Sequence, residues 1–400
     1  MSENPPEKLT LDILKDAVEN AAAFRCRRLL QPAAGAGTKI FPPTYSGAVY
    51  AKERRRLPGR EQPVECVVLD SVQSQANRME EALQDALDNG KIVMPLIEVD
   101  FHDDGSKLTE PIHRLTSLQV PHRIADAILR DTTLDGVKFR DSDWGLKLNA
   151  AGAENATPIF QICPTALVFG MWDSTGPKGG SGMKIERAVV SEIVGIGAEY
   201  AEKNRGVRRD PLEIRASVRL QGNSSNWNVA TDPKAKDAIK PSAINHSSVP
   251  FDGANAGATI EHAEQTTTVS LIALRRLRFP VGGAADPAVD RAARAVLAAL
   301  ALYGATAAAE KGLDLRSRCL LWPDGPMVWD LLEKPGQHPR SFTLDVAGAA
   351  AILSGAAAAA SSAGLSWKEK RLVLKPIPAL VELVRQSQLK AANDAESDGD

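Results

Sequence analysis

The sequence predicts an α+β protein, with strands and helices mixed in its first part and a mainly helical C-terminal part. Short apolar runs bounded by turn residues, such as "PVECVVLDS" and "KIVMPLIEVDF", read as buried strands. Helical periodicity follows the first of them, with Val72, Ala76, Met79, Leu83 and Leu87 on one face and Gly90 as its stop. A long Ala-rich helical pattern then dominates the end of the chain. With 400 residues, 44% of them hydrophobic, a sizeable core can be buried. No linker and no internal repeat appears, so a single domain over 1–390 is expected, with insertions near 102–158 and 199–264.

The elements follow in order. "LTLDILKDAVENAAAFRCRRLLQPA" begins as an amphipathic helix with Leu11, Leu14, Val18 and Ala22 inward, and "AAFRCRRLLQP" then runs on as a strand. "AGAGTKIFPPTYSG" is a loop, rich in Gly and Pro. The strand "PVECVVLDS", its helix and the strand "KIVMPLIEVDF" come next. From His102 to about Pro158 the chain is loop-rich, with a short helix at "PHRIADAILRD". "IFQICPTALVFGMW" reads as strand. "DSTGPKGGSGMK" is a glycine-rich loop leading into a strand or helix. From Glu199 to Glu264 the sequence is polar and irregular, long enough to be functional or mobile. "TTTVSLIALRRLRFP" is a strand then a helix, or two strands. Asp286 caps and Pro287 opens the helix ending near Gly312, after which an Ala-rich helix and "LVLKPIPALVELVRQSQ" follow.

Charge and cysteine content narrow the classes. The formal net charge is -2, but arginines gather in "AKERRRLPGR", "KNRGVRRD" and "LRRLRF". The residues 391–400 are acidic and read as a disordered tail. Cys26, Cys66, Cys163 and Cys319 are far apart, without a C-x-x-C pair, which fits reduced thiols in a cytoplasm and no zinc knuckle. The opening "MSENPPEKL" is unlike a signal peptide. Val346 to Trp367 is charge-free but mostly Ala, Gly and Ser, so a packed helix is expected rather than a membrane span.

The stretch "LDSVQSQANRMEEAL" carries the main chemical signal. A helix entrance normally holds acids; here it offers Ser71, Gln73, Ser74, Asn77 and Arg78. Asp70 with Gln73 resembles a capping box, which leaves the other polar residues unexplained. Amides, hydroxyls and an arginine around unsatisfied N–H groups suit phosphate or sugar. The loop Asp173–Lys184, with Gly176, Gly179, Gly180, Gly182, Lys178 and Lys184, also allows close phosphate approach, though it lacks the P-loop pattern. In "RCRR", Arg25 and Arg27 share a strand face. No metal or cofactor site is expected; the "FHDDG" pair His102 and Asp103 lacks further ligands at a known spacing.

Taken together, "AFRCRRLLQPAAGAGTKIFPPTYSG", "VVLDSVQSQANRMEEAL", "FGMWDSTGPKGGSGMKIERAVVSEIVG", "TIEHAEQTTTVSLIALRRLRFP" and "LRSRCLLWP" resemble the backbone subunits of type I-G (formerly I-U) CRISPR effector complexes, of the RAMP superfamily. The resemblance runs from about Ala23 to Gln386. It implies an RRM-like (ferredoxin-like) palm with large insertions, one of them a thumb. It implies a non-enzymatic scaffold, copies of which assemble helically along one crRNA, hold its backbone and present it for pairing with target DNA. The other Cascade subunits (a large subunit and a repeat-processing or capping subunit) and a recruited helicase-nuclease are the remaining implied partners, with no membrane. On this reading Arg25, Arg27, Lys39, Ser71, Gln73, Ser74, Asn77, Arg78, Lys178, Gly179, Gly180, Lys184, Arg275 and Arg276 are RNA-binding candidates. The alternative is a metal-dependent RNA endonuclease of the same superfamily, using Asp100, His102, Asp103 or Asp104. Trp227, in "NSSNWNV", either meets a partner or anchors the insertion on its own domain.

Overall fold

A computed structural model of the protein describes residues 5–102, 108–176, 179, 182–202, 204–223, 226–253, 256–368 and 370–397. The protein divides into two units, one of residues 1–101, 113–199 and 259–377, the other of 102–112, 200–258 and 378–400.

The first unit begins with α1 (Leu11–Asn20), where Thr10 Oγ1 accepts the Ile13 amide at 3.3 Å and Leu14, Ala17 and Val18 turn inward. Then come β1 (Ala23–Pro32), β2 (Lys52–Arg55), β3 (Val64–Asp70), α2 (Val72–Asp88) and β4 (Leu96–Asp100). β5 (Val189–Ile196), β6 (His262–Ser270), α3 (Pro287–Ala309), β7 (Cys319–Pro323) and β8 (Val328–Leu332) follow. The last elements of this unit are β9 (Arg340–Thr343), α4 (Val346–Ser362) and β10 (Arg371–Pro376). β8 pairs with β1, β1 with β6, β6 with β5 and β5 with β3, each antiparallel. β1 and β5 therefore run parallel on either side of β6. α2 lies in the connection from β1 to β5, and α3 in that from β6 to β7 and β8, which both pair with β1. This is the β-α-β-β-α-β path of a ferredoxin-like fold, extended by β2 beyond β3 and by β9 beyond β8.

Strand alternation assigns the two faces of this sheet. Phe24, Cys26, Arg28 and Leu30 point to the helix side from β1, while Arg25, Arg27 and Leu29 point away. Gln265, Thr267 and Val269 do the same from β6. On the helix side, α2 lays Met79 and Leu83 beside Gly304 of α3, and α4 packs on α3. Such buried apolar side chains stabilise by roughly 1.5–3 kcal/mol each. A second sheet places β4 parallel to β10, with Arg114–Thr116 beside β4 at one edge and Thr132–Leu134 beside β10, followed by Val137–Lys138 at the other.

Two local expectations change. "IFQICPTALVFGMW" forms helices Thr157–Ile162 and Thr165–Phe169, with strand only at Met171–Trp172. Pro158 and Pro164 fit the first turns of helices, and an apolar run buried all round carries no periodicity to separate the two states. The helix cap falls one residue later than the capping-box reading: Ser71, not Asp70, accepts the Ser74 amide at 3.3 Å. The Val346 region forms the expected packed helix, α4, while among the described residues α3 is long and apolar enough to cross a membrane, with 78% of its apolar window buried in the protein.

In the second unit, the polar insertion forms hairpins. Asn204–Arg208 pairs with Val249–Gly253, and Leu220–Gly222 with Trp227–Val229. The Asp210 carboxylate accepts the amides of Leu212, Ile214 and Ser247 at 3.0–3.1 Å, which holds its pKa below the ordinary value against the effect of burial. Trp227 meets the His246 ring at 5.6 Å, within the same unit, and stays 39% exposed. α5 (Pro378–Ser397) takes in most of the acidic stretch expected to be disordered, and Gln388 exchanges hydrogen bonds with the Glu110 backbone at 2.9 and 3.2 Å.

Candidate nucleic-acid interface

The first turns of α2 form one wall of a cleft of about 390 Å³ in the first unit. Gln73, Ala76 and Asn77 supply that wall. Gln73 and Asn77 are exposed because they lie off the stripe of Ala76, Met79 and Leu83. The rest of the lining is the short hairpin of Met171–Trp172 and Lys184–Ile185, continued by Glu186 and Arg187, with the turn at His122 and Arg123. The structure thus joins three sequence-predicted residues, Gln73, Asn77 and Lys184, from segments about a hundred residues apart.

The cleft lining sets the cations Arg123, Lys184 and Arg187 against one acid, Glu186, which is itself paired with Arg276. Arg123, 5% exposed, donates Nε–H and an Nη–H to Glu80 at 2.7 and 2.6 Å, and another to the Gly170 carbonyl at 3.1 Å. Burial outweighs the pull of Arg123 and pushes the Glu80 carboxyl up to about 7. Arg123 holds φ of 52°, a left-handed backbone unusual outside glycine. Arg187 is half-buried and pairs with no carboxylate among the described residues. Burial and the neighbouring Arg123 charge lower its pKa, while Glu80 opposes them. Gly170 makes room for it: at φ +82°, a Cβ there would stand 2.8 Å from Arg187 Cγ. Trp172 is 54% exposed, with Lys184 Nζ 5.9 Å from its ring centroid. Cations, amides and an open aromatic face are what a polyanion with stackable bases requires.

The hairpin is closed by its glycines. Arg140 clamps Asp173 through hydrogen bonds of 2.5 and 2.9 Å, and the Gly182 amide donates to the Gly179 carbonyl at 2.8 Å. A Cβ on Gly182 would come within 1.8 Å of the Asp173 carbonyl oxygen, and one on Gly176 within 2.4 Å of the Asp173 carboxylate. Gly179 has φ +54° and open space around it. Lys178 and Gly180 lie outside the described residues.

The other candidates are held elsewhere. Arg78 turns away from the cleft: its Nε–H goes to buried Asp70 at 2.9 Å, and its terminal nitrogens to the Asp314 and Leu315 carbonyls at 3.3 and 2.7 Å. Ser71 and Ser74 serve the helix start. Arg25 and Arg27 do share the open sheet face, but pair with Asp330 and Glu264 at 2.9 Å each. Lys39 lies 5.6 Å from the Phe41 ring, which also carries the Arg318 guanidinium at 4.0 Å. Arg275 donates to the Val18 and Ala21 carbonyls at 3.0 and 2.7 Å, closing the end of α1, while Arg276 pairs with Glu186, which lines the cleft. Asp100 accepts from Lys375 Nζ at 2.8 Å; Asp103 and Asp104 lie outside the described residues, and His102 belongs to the second unit.

Residues 24–200 match the family model described as CRISPR-associated protein GSU0053, and every residue lining the cleft falls inside that stretch. Over that stretch the chain is similar to a CRISPR-associated family. No curated protein matches its sequence. Within this stretch, sequence reasoning missed His122, Trp172 and Arg187 as cleft residues. Each stands outside any cluster of its own type, so neither spacing nor composition marks it, and only the fold brings it to the same cleft as Asn77.

Proposed function

We propose that this protein is the crRNA-binding backbone subunit of a type I CRISPR surveillance complex. It holds the guide by its sugar-phosphate backbone in the cleft between α2 and the Trp172 hairpin. The observation that carries this reading is Arg187, a half-buried cation without a carboxylate partner among the described residues, set beside Lys184 and Trp172 and facing the amides of Gln73 and Asn77. Guide sequences vary, so useful contacts must go to phosphate, ribose and base faces, and these groups can make them without reading base edges. The ferredoxin-like sheet, with insertions in its connections, fits the palm-and-thumb plan that the resemblance implies.

On this reading the subunit is not an enzyme. Copies assemble helically along crRNA in the cytoplasm, present it to target DNA, and work with other Cascade subunits and a helicase-nuclease. The paired charges on the open sheet face leave the cleft as the basic ground for RNA. The test is to express the protein alone and extract what co-purifies. A ladder of RNA fragments at regular increments supports a repeating backbone subunit. Nucleic-acid-free monomer, unable to bind added crRNA, overturns the reading. Cleavage of bound RNA in divalent metal would instead favour the endonuclease.

A further inference from the structure

Arg28 faces the helix side of the sheet from β1 and is 6% exposed. Among the described residues no carboxylate comes within ion-pair distance of it. One Nη–H donates to the Ala309 carbonyl at 3.3 Å, at the long end of the range, and its Nε–H has no acceptor. Burial lowers its pKa, and the Cys26 thiol is the group that opposes this. Thr306 Oγ, 1% exposed on α3, also lacks a partner among the described residues. A buried, uncompensated cation is among the costlier features a core can hold.

Arg28 and Thr306 line the same cleft, of about 570 Å³, which shares no residue with the one beside α2. Trp322, Pro326, Met327 and Leu344 give it apolar walls. Glu310, Asp324 and Asp345 stand on its lining too, with Lys8 as the other cation. We propose that this cleft binds a ligand bearing a single carboxylate on an apolar body, the carboxylate seated on Arg28 and Thr306. The planar guanidinium fork matches a carboxylate, and the threonine hydroxyl supplies a further donor. The lining acids and the carbonyl end of α3 repel a second negative charge, which selects against phosphate dianions and nucleic acid. The apolar walls take the remainder of the ligand.

Calorimetric titration and thermal shift of the full-length protein test this with 3-phenylpropionate, 3-phenylpropanol, phenyl phosphate and the dipeptide N-acetyl-Ala-Phe as free acid and amide. The acids are expected to bind saturably and raise Tm, with the neutral alcohol and the phosphate weaker by about tenfold or more. Thr306→Val is expected to weaken the acids about threefold to tenfold. Arg28→Met is expected to abolish their effect while raising Tm without ligand, because it removes the unpaired charge. Binding by phenylpropionate marks a free carboxylate as sufficient; binding by the peptide acid alone marks the carboxyl terminus of a peptide, and either supports the site. No saturable binding of any acid, equal affinity for the alcohol, preference for the phosphate, or unchanged affinity in Thr306→Val overturns it. Should Arg28→Met fail to fold, the ligand series and Thr306→Val decide.

Discussion

Arg78 donates its Nε–H to the carboxylate of Asp70 at 2.9 Å, across two turns of backbone that include the start of α2. Asp70 is 1% exposed and also accepts the Gln75 side-chain amide at 2.6 Å. Gln75 passes the bonding on, accepting from Ser191 and Gln265 at 2.9 Å each. The pair thus anchors a buried polar network joining β3, α2, β5 and β6. The adjacent Asn77 stays on the surface of the same helix. One face of a single turn serves the fold and the next serves the cleft.

Arg78→Ala is therefore expected to destabilise the protein by about 2–4 kcal/mol, because it leaves a buried carboxylate short of a donor and two carbonyls unpaired. Asn77→Ala is expected to stay within about 0.5 kcal/mol of the parent, as an exposed residue off the apolar stripe. Urea unfolding of both variants measures the contrast. Equal stabilities would show that the Asp70–Arg78 pair does not hold the helix start.

The hairpin glycines differ in what they tolerate. Gly179→Ala is expected to cost about 1–2 kcal/mol, from left-handed backbone alone. Gly182→Ala must also move the Asp173 carbonyl, 1.8 Å from the new Cβ, and is expected to disrupt the loop. Limited proteolysis across 173–184 reads the difference, and identical cleavage rates would contradict it.

Gly170→Ala tests how Arg187 is positioned. The added Cβ would meet Arg187 Cγ at 2.8 Å and the Ile185 carbonyl at 3.0 Å. RNA affinity is expected to fall as far as in Arg187→Ala, about tenfold for one lost charge-assisted contact. A folded Gly170→Ala variant with parental affinity would mean that the arginine does not need this seat.

Glu80 gives a pH signature. Its folded-state pKa, about 7, lies above the ordinary 4.5. The native state therefore takes up this proton first as pH falls. The stabilisation from this group is full below pH 4.5 and is lost as pH rises through about 7. Relative to Glu80→Gln, the wild type is expected to lose stability between pH 5 and 8. Parallel stability profiles for the two proteins over that range would contradict the shift.

Much of the fold was legible because apolar spacing is local. The α2 stripe, the strand "PVECVVLDS" and the Asp286–Pro287 helix start need only their own residues to be recognised. The site was legible in half. Gln73 and Asn77 stand out as amides where a helix start usually has acids, and Lys184 as a cation beside glycines. Arg78, from the same stretch, is drawn inward by Asp70 and by carbonyls 236 and 237 residues away, a pull no local pattern encodes. The same limit hides Glu264 and Asp330, which neutralise Arg27 and Arg25 of β1 from other strands.

Binding of single-stranded RNA across a salt series tests the central claim most directly, comparing the parent with Lys184→Ala/Arg187→Ala and with Trp172→Ala. If the cleft holds the guide backbone, the double variant loses affinity equally for unrelated sequences, and its slope of log K against log salt shrinks by about 1.4. Trp172→Ala is expected to lose about 1–3 kcal/mol with its slope unchanged, since stacking releases no counterions. Parental affinity and slope in a folded Lys184→Ala/Arg187→Ala variant would contradict the account and move the RNA site away from this cleft.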